Sequence, residues 1–455
     1  SHILSGLLPV DQARRLDEFY HRFGVLLLIL LIVSQLTYYV VGIPAIIVHG
    51  FLTAPLFLGL APKAGRHAGR QPDRRRRPDT EREGAVAKIE PGDIVCLVLC
   101  AGEGTRMRPL TYTRPKQLLP LCNVPVIDHI LSAISEAGLR EIGMVTGPDP
   151  RGLRSHVGDG RRWGLDVAWL VQETPKGIGD AVLVAKSYVG ERPFIVYLGD
   201  ALYEGGIGGF VQQFAEILPA SLVRLTPVEE PQHYGVAVVE DSFITELEEK
   251  PKRHRTNLAI TGLYAFPPEF FDAICRTPPS DRGELEITDS IANFLGNPAG
   301  VRAEVWEGGW ADAGQHHTFL EASRQVLDWA EDLENAGVVE DSVLNGKVGT
   351  GDGTTITGSR LDGPVLLGEG CRIVNSCIGP YVSVGNRSVI ENSNVRNTVI
   401  DADVLVADLK RGLDGSIVGV RSKLIGNGRG GPPVRQLVGD DTQLRLDQAE
   451  PQVSP

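Results

Sequence analysis

Three motifs are missing from this sequence, and each absence removes a class of chemistry. No Cys-x-x-Cys pair occurs among the six cysteines (Cys96, Cys100, Cys122, Cys275, Cys371 and Cys377), and no Cys/His spacing suits a metal. The six are therefore expected to be reduced core residues of a cytosolic protein. No His-Glu-x-x-His occurs, which excludes a zincin-type protease, and no Gly-x-x-x-x-Gly-Lys-Ser/Thr, which excludes a Walker A site. Net positive charge is lacking too. Lys and Arg number 45 against 57 Asp and Glu, net −12, which argues against a nucleic-acid binder as a whole.

What is abundant is glycine, 53 of 455 residues, above the usual ~7%, so part of the chain must be dense in turns. The length allows two or three domains. The first residue is Ser1, not Met, so the chain is expected to be a fragment.

Residues 1–60 form a first segment whose part from Phe23 to Leu60 is almost free of charge. As one helix this run would span about 57 Å, nearly twice the hydrocarbon core of a bilayer. Gly42 and Pro44 break it near the middle, just after Tyr38 and Tyr39. The pattern predicts a transmembrane helical hairpin, 23–41 and 43–60, and it is too long for a signal peptide. Residues 61–92 are a basic linker without apolar periodicity, expected to be disordered; 61–88 alone carry nine Lys/Arg and four Asp/Glu. This excess puts the following domain on the cytoplasmic side of a membrane. A cytoplasmic protein is expected if the N-terminal segment is a remnant. The stretch LLPVDQARRLDEFYHRFGVLLLILLIV loosely resembles the tail of site-2-type membrane metalloproteases, but the zinc motif is missing.

From 93 to 330 strands and helices alternate. DIVCLVLC, EIGMVTG and PFIVYLGD read as buried strands; VIDHILSAISEAG carries Ile127, Ile130, Leu131 and Ile134 at helical spacing with Gly138 as a stop. The class is α/β, a Rossmann-like domain with a mixed, mainly parallel sheet. From 331 to 447 the pattern changes. Val348, Ile356, Leu361, Leu366, Ile373, Ile378, Val384, Ile390, Val395 and Ile400 recur at short intervals with small and polar residues between them. This hexapeptide-like repeat predicts a parallel β-helix. Residues 448–455 are a tail.

AGEGTRMRPLTYTRPKQLLP follows directly on the first strand. It is not a dinucleotide fingerprint, because Met107 stands where the third glycine belongs. Gly102 and Gly104 would let backbone N–H groups approach a polyphosphate, with Arg106, Arg108 and Lys116 supplying charge. On spacing alone, a structural glycine turn with surface cations explains the stretch equally well.

The longer pattern resembles the sugar-1-phosphate nucleotidyltransferases, whose signature is G-x-G-T-R-x-x-P-L-T followed by P-K. It continues in order through QETPKGIGDAV, VYLGDAL, YGVAVVE, EEKPK, NLAITGLYAF, RGELEITD and WADAG. Within that family it is most similar to the long form of the glucose-1-phosphate thymidylyltransferases, which carries a C-terminal left-handed β-helix. The resemblance implies that Gly102, Gly104, Thr105, Arg106, Gln172, Pro175, Gly177 and Asp200 bind the nucleotide. Gln172 would read the pyrimidine edge, and Gly177 would let the backbone approach the base. Arg106, Lys116 and Asp200 would be catalytic, with Mg²⁺ on Asp200 and Asp312. Gly235, Glu249, Lys250 and Arg282 would bind the sugar phosphate. Ala201 stands where many relatives have Asn.

The implied substrates are dTTP, or UTP, and glucose 1-phosphate. The sugar phosphate, already an anion, would attack the α-phosphorus in line and release pyrophosphate. A uridylyltransferase–acetyltransferase is a rival, but such acetyltransferases use a histidine on the β-helix, and the last of the ten histidines is His317. The β-helix is therefore expected to be structural, regulatory or oligomerising, in a homo-oligomer. A non-catalytic sugar-nucleotide sensor is the alternative from another class.

Overall fold

The computed structural model describes residues 89–446 except 151 and 332. The expected hairpin at 23–60, the linker up to 88 and the tail lie outside the described residues. Among those described, no helix is long and apolar enough to cross a membrane.

Nine strands form the central sheet of the first half: β1 (Val95–Cys100), β2 (Glu141–Thr146), β3 (Asp166–Val171), β4 (Phe194–Leu198), β5 (Ser221–Pro227), β6 (Gly235–Glu240), β7 (Phe243–Glu249), β8 (Leu258–Phe266) and β9 (Val301–Val305). Their order is β3-β2-β1-β4-β8-β5-β9-β7-β6. β3, β2, β1 and β4 are mutually parallel. β1 reads as an unbroken apolar run because helices cover both its faces. The helix Val126–Glu136 buries Ile127, Ile130, Leu131 and Ile134 against one of them, as their spacing predicts.

The expectation of a mainly parallel sheet fails beyond β4. β8 runs antiparallel to β4 and β5, and β7 antiparallel to β9 and β6, with only β5 and β9 parallel. The cause is local. Asp241 and Ser242 both have positive φ, 48° and 67°, which is the two-residue hairpin turn that matches strand twist. A hairpin joins antiparallel neighbours, where a crossover helix would have joined parallel ones.

Behind the sheet, Arg224 is buried, bonded to Glu304 at 2.6 and 3.1 Å and stacked 4.7 Å from the Tyr203 ring. Tyr203 in turn donates to the Thr261 carbonyl at 2.8 Å. These contacts pin the short strand Ala201–Tyr203, and with it the residue just before it, Asp200.

From Val338 the chain coils through three parallel sheets, as a β-helix does. Val339, Ile356, Ile373 and Ile390 stand in one register ladder; Leu361, Ile378 and Val395 in another. Leu366 departs from expectation. Its neighbours Val365 and Leu367 point into the coil, and Leu366 is half-buried on the outside. At one corner of the coil Asn375 and Asn392 take positive φ, as Asn tolerates. The serine after each donates inward; Ser376 N and Ser393 N bond the Ser Oγ one coil earlier, 17 residues back, at 3.1 and 3.2 Å. Of the six cysteines, Cys275 and Cys377 are exposed, against expectation, because each stands on an outward position of its element.

Candidate active site

The glycine-rich loop leaves the C-terminal end of β1. Gly104 has φ 66° and caps a single 3₁₀ turn, Thr105–Met107. Its carbonyl accepts from the Thr111 hydroxyl at 2.7 Å, so the loop folds back on itself. Met107 is the buried anchor, while Gly102, Thr105 and Arg106 face outward. No atom stands within 4 Å of where a Gly102 side chain would begin, leaving its backbone open to a ligand.

Asp200 follows β4 after Gly199, and Gly199 explains its position. A Cβ there would lie 2.6 Å from Cys100 Sγ and 2.7 Å from the Leu99 carbonyl. Only glycine lets the two strand ends close up and set Asp200 beside the loop. Lys116 Nζ is bonded to Asp200.

Asp312 ends the strand Trp310–Asp312, which pairs antiparallel with Ala201–Tyr203 so that Asp312 faces Ala201. Gly314 N donates to Asp312 Oδ1 at 2.7 Å. A Cβ on Gly314 would lie 2.8 Å from Asp312 Oδ1 and 3.2 Å from Asp200 Oδ2, so both carboxylates converge on one small space. Burial, and then the charge of Asp200, push the Asp312 carboxyl up to about 6, against the pull of Lys116, Gly314 N–H and Arg106. Burial also raises the Cys100 thiol to about 12, so it is no nucleophile.

Gln172 is buried just beyond β3, its N–H bonded to the Thr146 carbonyl at 2.8 Å. Its side-chain amide donates to Asp180 at 2.7 Å and to the Gly177 carbonyl at 3.2 Å. Gln172, Pro175 and Gly102 line one cleft of about 500 Å³. Gly177 also has a packing reason to be glycine. Its φ is 100°, and a Cβ would fall 2.6 Å from the Leu285 carbonyl. Glycine is needed there for contact with protein backbone. The same junction is spliced by Leu285 N to Lys176 O at 2.7 Å and Gly179 N to Leu285 O at 2.8 Å.

On the other side of the sheet end, Gly235 and Glu249 are register partners. Glu249 accepts from Thr288 at 2.8 Å and Lys250 at 2.9 Å, with Arg282 at 3.3 Å. Burial alone would raise the Glu249 carboxyl, but these hydrogen bonds and the two cations hold it below its ordinary value. Gly235 has no room for a side chain; a Cβ would meet Thr288 Oγ1 at 2.7 Å. Asp312 and Tyr234 line a second cleft of about 740 Å³.

The structure thus brings Arg106, Lys116, Asp200 and Asp312 to one place. Gln172 and Pro175 stand on one flank, and Gly235, Glu249, Lys250 and Arg282 form a separate cluster. Sequence reasoning missed Gly199, Gly314, Asp180 and Thr288. The glycines were visible in YLGD and WADAG, but their packing reason was not. No group of three or more acidic, His or Cys side chains suited to a metal occurs among the described residues, leaving the Asp200–Asp312 pair.

Residues 95–328 match the family profile described as Nucleotidyl transferase. The chain is 36% identical over 352 residues to a glucose-1-phosphate thymidylyltransferase of Streptomyces antibioticus, covering 77% of this chain and 99% of that protein. A second protein of that name, from Streptomyces griseus, is 36% identical over 324 residues, 71% of this chain and 91% of its own. The low-salt glycan biosynthesis nucleotidyltransferase Agl11 of Haloferax volcanii is 36% identical over 359 residues, 77% and 99%.

Proposed function

Because the chain belongs to the nucleotidyl transferase family, we propose that it transfers the nucleotidyl group of dTTP to glucose 1-phosphate, giving dTDP-glucose and pyrophosphate. The observation that carries this reading is the meeting of the Gly102–Arg106 loop, Lys116, Asp200 and Asp312 between two clefts. Similarity over nearly the full length of relatives named for this activity supports the choice of substrates.

In this reading the triphosphate lies over Gly102, Gly104, Thr105 and Arg106, and its base enters the cleft beside Gln172. Gln172 is pre-oriented by Asp180, which takes one of its donor hydrogens. Its amide oxygen remains to accept from the base N3–H. Glu249 takes sugar hydroxyls, and Lys250 and Arg282 take the phosphate of the sugar. That phosphate is an anion at neutral pH, so no side chain need remove a proton. Lys116 exchanges its Asp200 partner for phosphate oxygens, and Arg106 meets the charge that builds up on the triphosphate.

Two carboxylates close enough to hold Asp312 near 6 suit a divalent cation. Magnesium characteristically takes one or two carboxylates together with substrate phosphates. Asp200 and Asp312 would hold it, and when bound it neutralises phosphate charge.

Apolar length and the basic flank support a further part of the reading: attachment to a membrane through residues 23–60. The left-handed winding of the coils rests on the family resemblance.

The test is product identification with dTTP, UTP, ATP, GTP and CTP, each offered with glucose 1-phosphate. dTDP-glucose is expected as the main product. UDP-glucose as the main product would reassign the nucleotide. No product and no pyrophosphate exchange with any of them would favour the sensor.

A further inference from the structure

The β-helix grips the glycine-rich loop itself. Arg114 lies two residues before Lys116, and its Nη2 donates to Asp401 and, at 3.0 Å, to Asp440, both on the coils. The Thr113 hydroxyl donates to the other oxygen of Asp440. The three charged side chains are only 18%, 11% and 4% exposed. Each carboxylate is also fixed by backbone, Asp401 by Ala402 N–H at 2.7 Å and Asp440 by Val420 N–H at 3.1 Å.

Apolar packing surrounds this cluster. Val399 and Ile417 are register partners on the outer face of one coil sheet, and both join the core cluster that holds Leu110, Leu119 and Phe319 of the first half. The void left beside Arg114 is about 10 Å³, too small to be a comfortable site for water. At the edge, the glycine at 439 brings the last coil onto Pro109; a Cβ there would be 3.3 Å from Pro109 Cβ.

A buried ion pair adds little net stability, since desolvation offsets much of the attraction. What it does add is fixed geometry, because a displaced partner leaves a buried charge unpaired. Residues 113–116 are therefore held at both ends, by Asp401 and Asp440 on one side and by the Lys116–Asp200 contact on the other.

We propose that Arg114, Asp401 and Asp440 are positioning residues for nucleotidyl transfer. The coils hold the loop so that Lys116 and Arg106 meet the triphosphate, and the transferase half alone is an incompletely organised catalyst. The inference rests on the proposed function. It makes the β-helix part of the active-site architecture.

The test uses the full chain and steady-state kinetics with each substrate varied. Asp401→Asn/Asp440→Asn keeps shape and removes charge. It should raise the KM for dTTP or lower kcat by about tenfold in combination, as small misplacements of a catalytic group do. The KM for glucose 1-phosphate should stay within about twofold. Arg114→Ala should lose as much, adding it to the double variant should cost little more, and Arg114→Lys should recover part. Thr113→Val, a mild change at the rim, should give a smaller loss of the same kind and serves if the charge variants fail to fold.

Circular dichroism and urea midpoints establish folding. Folded variants with wild-type kinetics would overturn the inference, as would a KM for glucose 1-phosphate raised as much as the KM for dTTP. A wild type that makes no sugar nucleotide would instead overturn the function, and this inference with it.

Discussion

Replacing Asp312 by Asn should stabilise the metal-free protein, and by an amount that depends on pH. Folding moves the Asp312 carboxyl from 3.8 to about 6. A folded state that raises a carboxyl binds its proton more tightly than the unfolded chain does. The contribution of this group to stability is therefore most favourable below pH 4, falls as pH rises through the window from 3.8 to 6, and stays low above it. At 1.36 kcal/mol per tenfold, the ionised form costs about 3 kcal/mol. That figure already includes the attraction of Lys116 and Arg106. Asn removes the charge and keeps an oxygen for the Gly314 N–H bond. The assay is unfolding in EDTA from pH 4 to 8, wild type against Asp312→Asn. The two should coincide near pH 4 and separate by roughly 3–6 °C in midpoint above pH 6.5. Adding Mg²⁺ should narrow the gap, since binding at ten times Kd stabilises the wild type by about 1.4 kcal/mol and the variant by less. A difference that is flat across pH, or a variant less stable at pH 8 in EDTA, would refute the reasoning.

Gln172→Ala should lower kcat/KM with dTTP by about 1–3 kcal/mol, the cost of an unpaired buried polar edge, and narrow the preference over ATP. An unchanged preference would remove Gln172 from base reading. Gly177→Ala should destabilise by about 1–3 kcal/mol, because φ of 100° and the Leu285 carbonyl both oppose a side chain; urea unfolding at neutral pH measures it, and a neutral result would mean that the Leu285 junction yields easily.

Much of this was legible in the sequence. The β1 run, the amphipathic spacing of Val126–Glu136 and the recurring isoleucines of the coils each answer to one-dimensional patterns, burial on two faces, period 3.6 and a short repeat. What was not legible depends on contacts between distant residues. The packing reason for Gly177 was hidden because its neighbour Leu285 is over 100 residues away in sequence. The antiparallel pairing of β6 with β7 turned on Asp241–Ser242, a weak hairpin signal without glycine. Leu366 was misread because one coil sheet points two of its three strand residues inward, against a single one in the next. The coil corners carried a clearer sign than the apolar residues. A glycine or asparagine before serine, at Gly358–Ser359, Asn375–Ser376 and Asn392–Ser393, marks successive turns of the stack.

The splice between Lys176–Gly179 and Leu285 has a thermodynamic consequence. It ties the segment beside the base reader to the segment that carries Arg282 and Glu286, which are themselves bonded at 2.8 Å. Two binding events that displace a shared element cannot be independent. If the nucleotide's arrival shifts Gly177, the same displacement reaches the residues awaiting the sugar, and the free energy of that shift is common to both equilibria. Reciprocity then requires each substrate to change the other's affinity by the same factor. Two backbone hydrogen bonds would then make the coupling between the two substrates a property of the fold, one that side-chain substitutions within either pocket would leave in place.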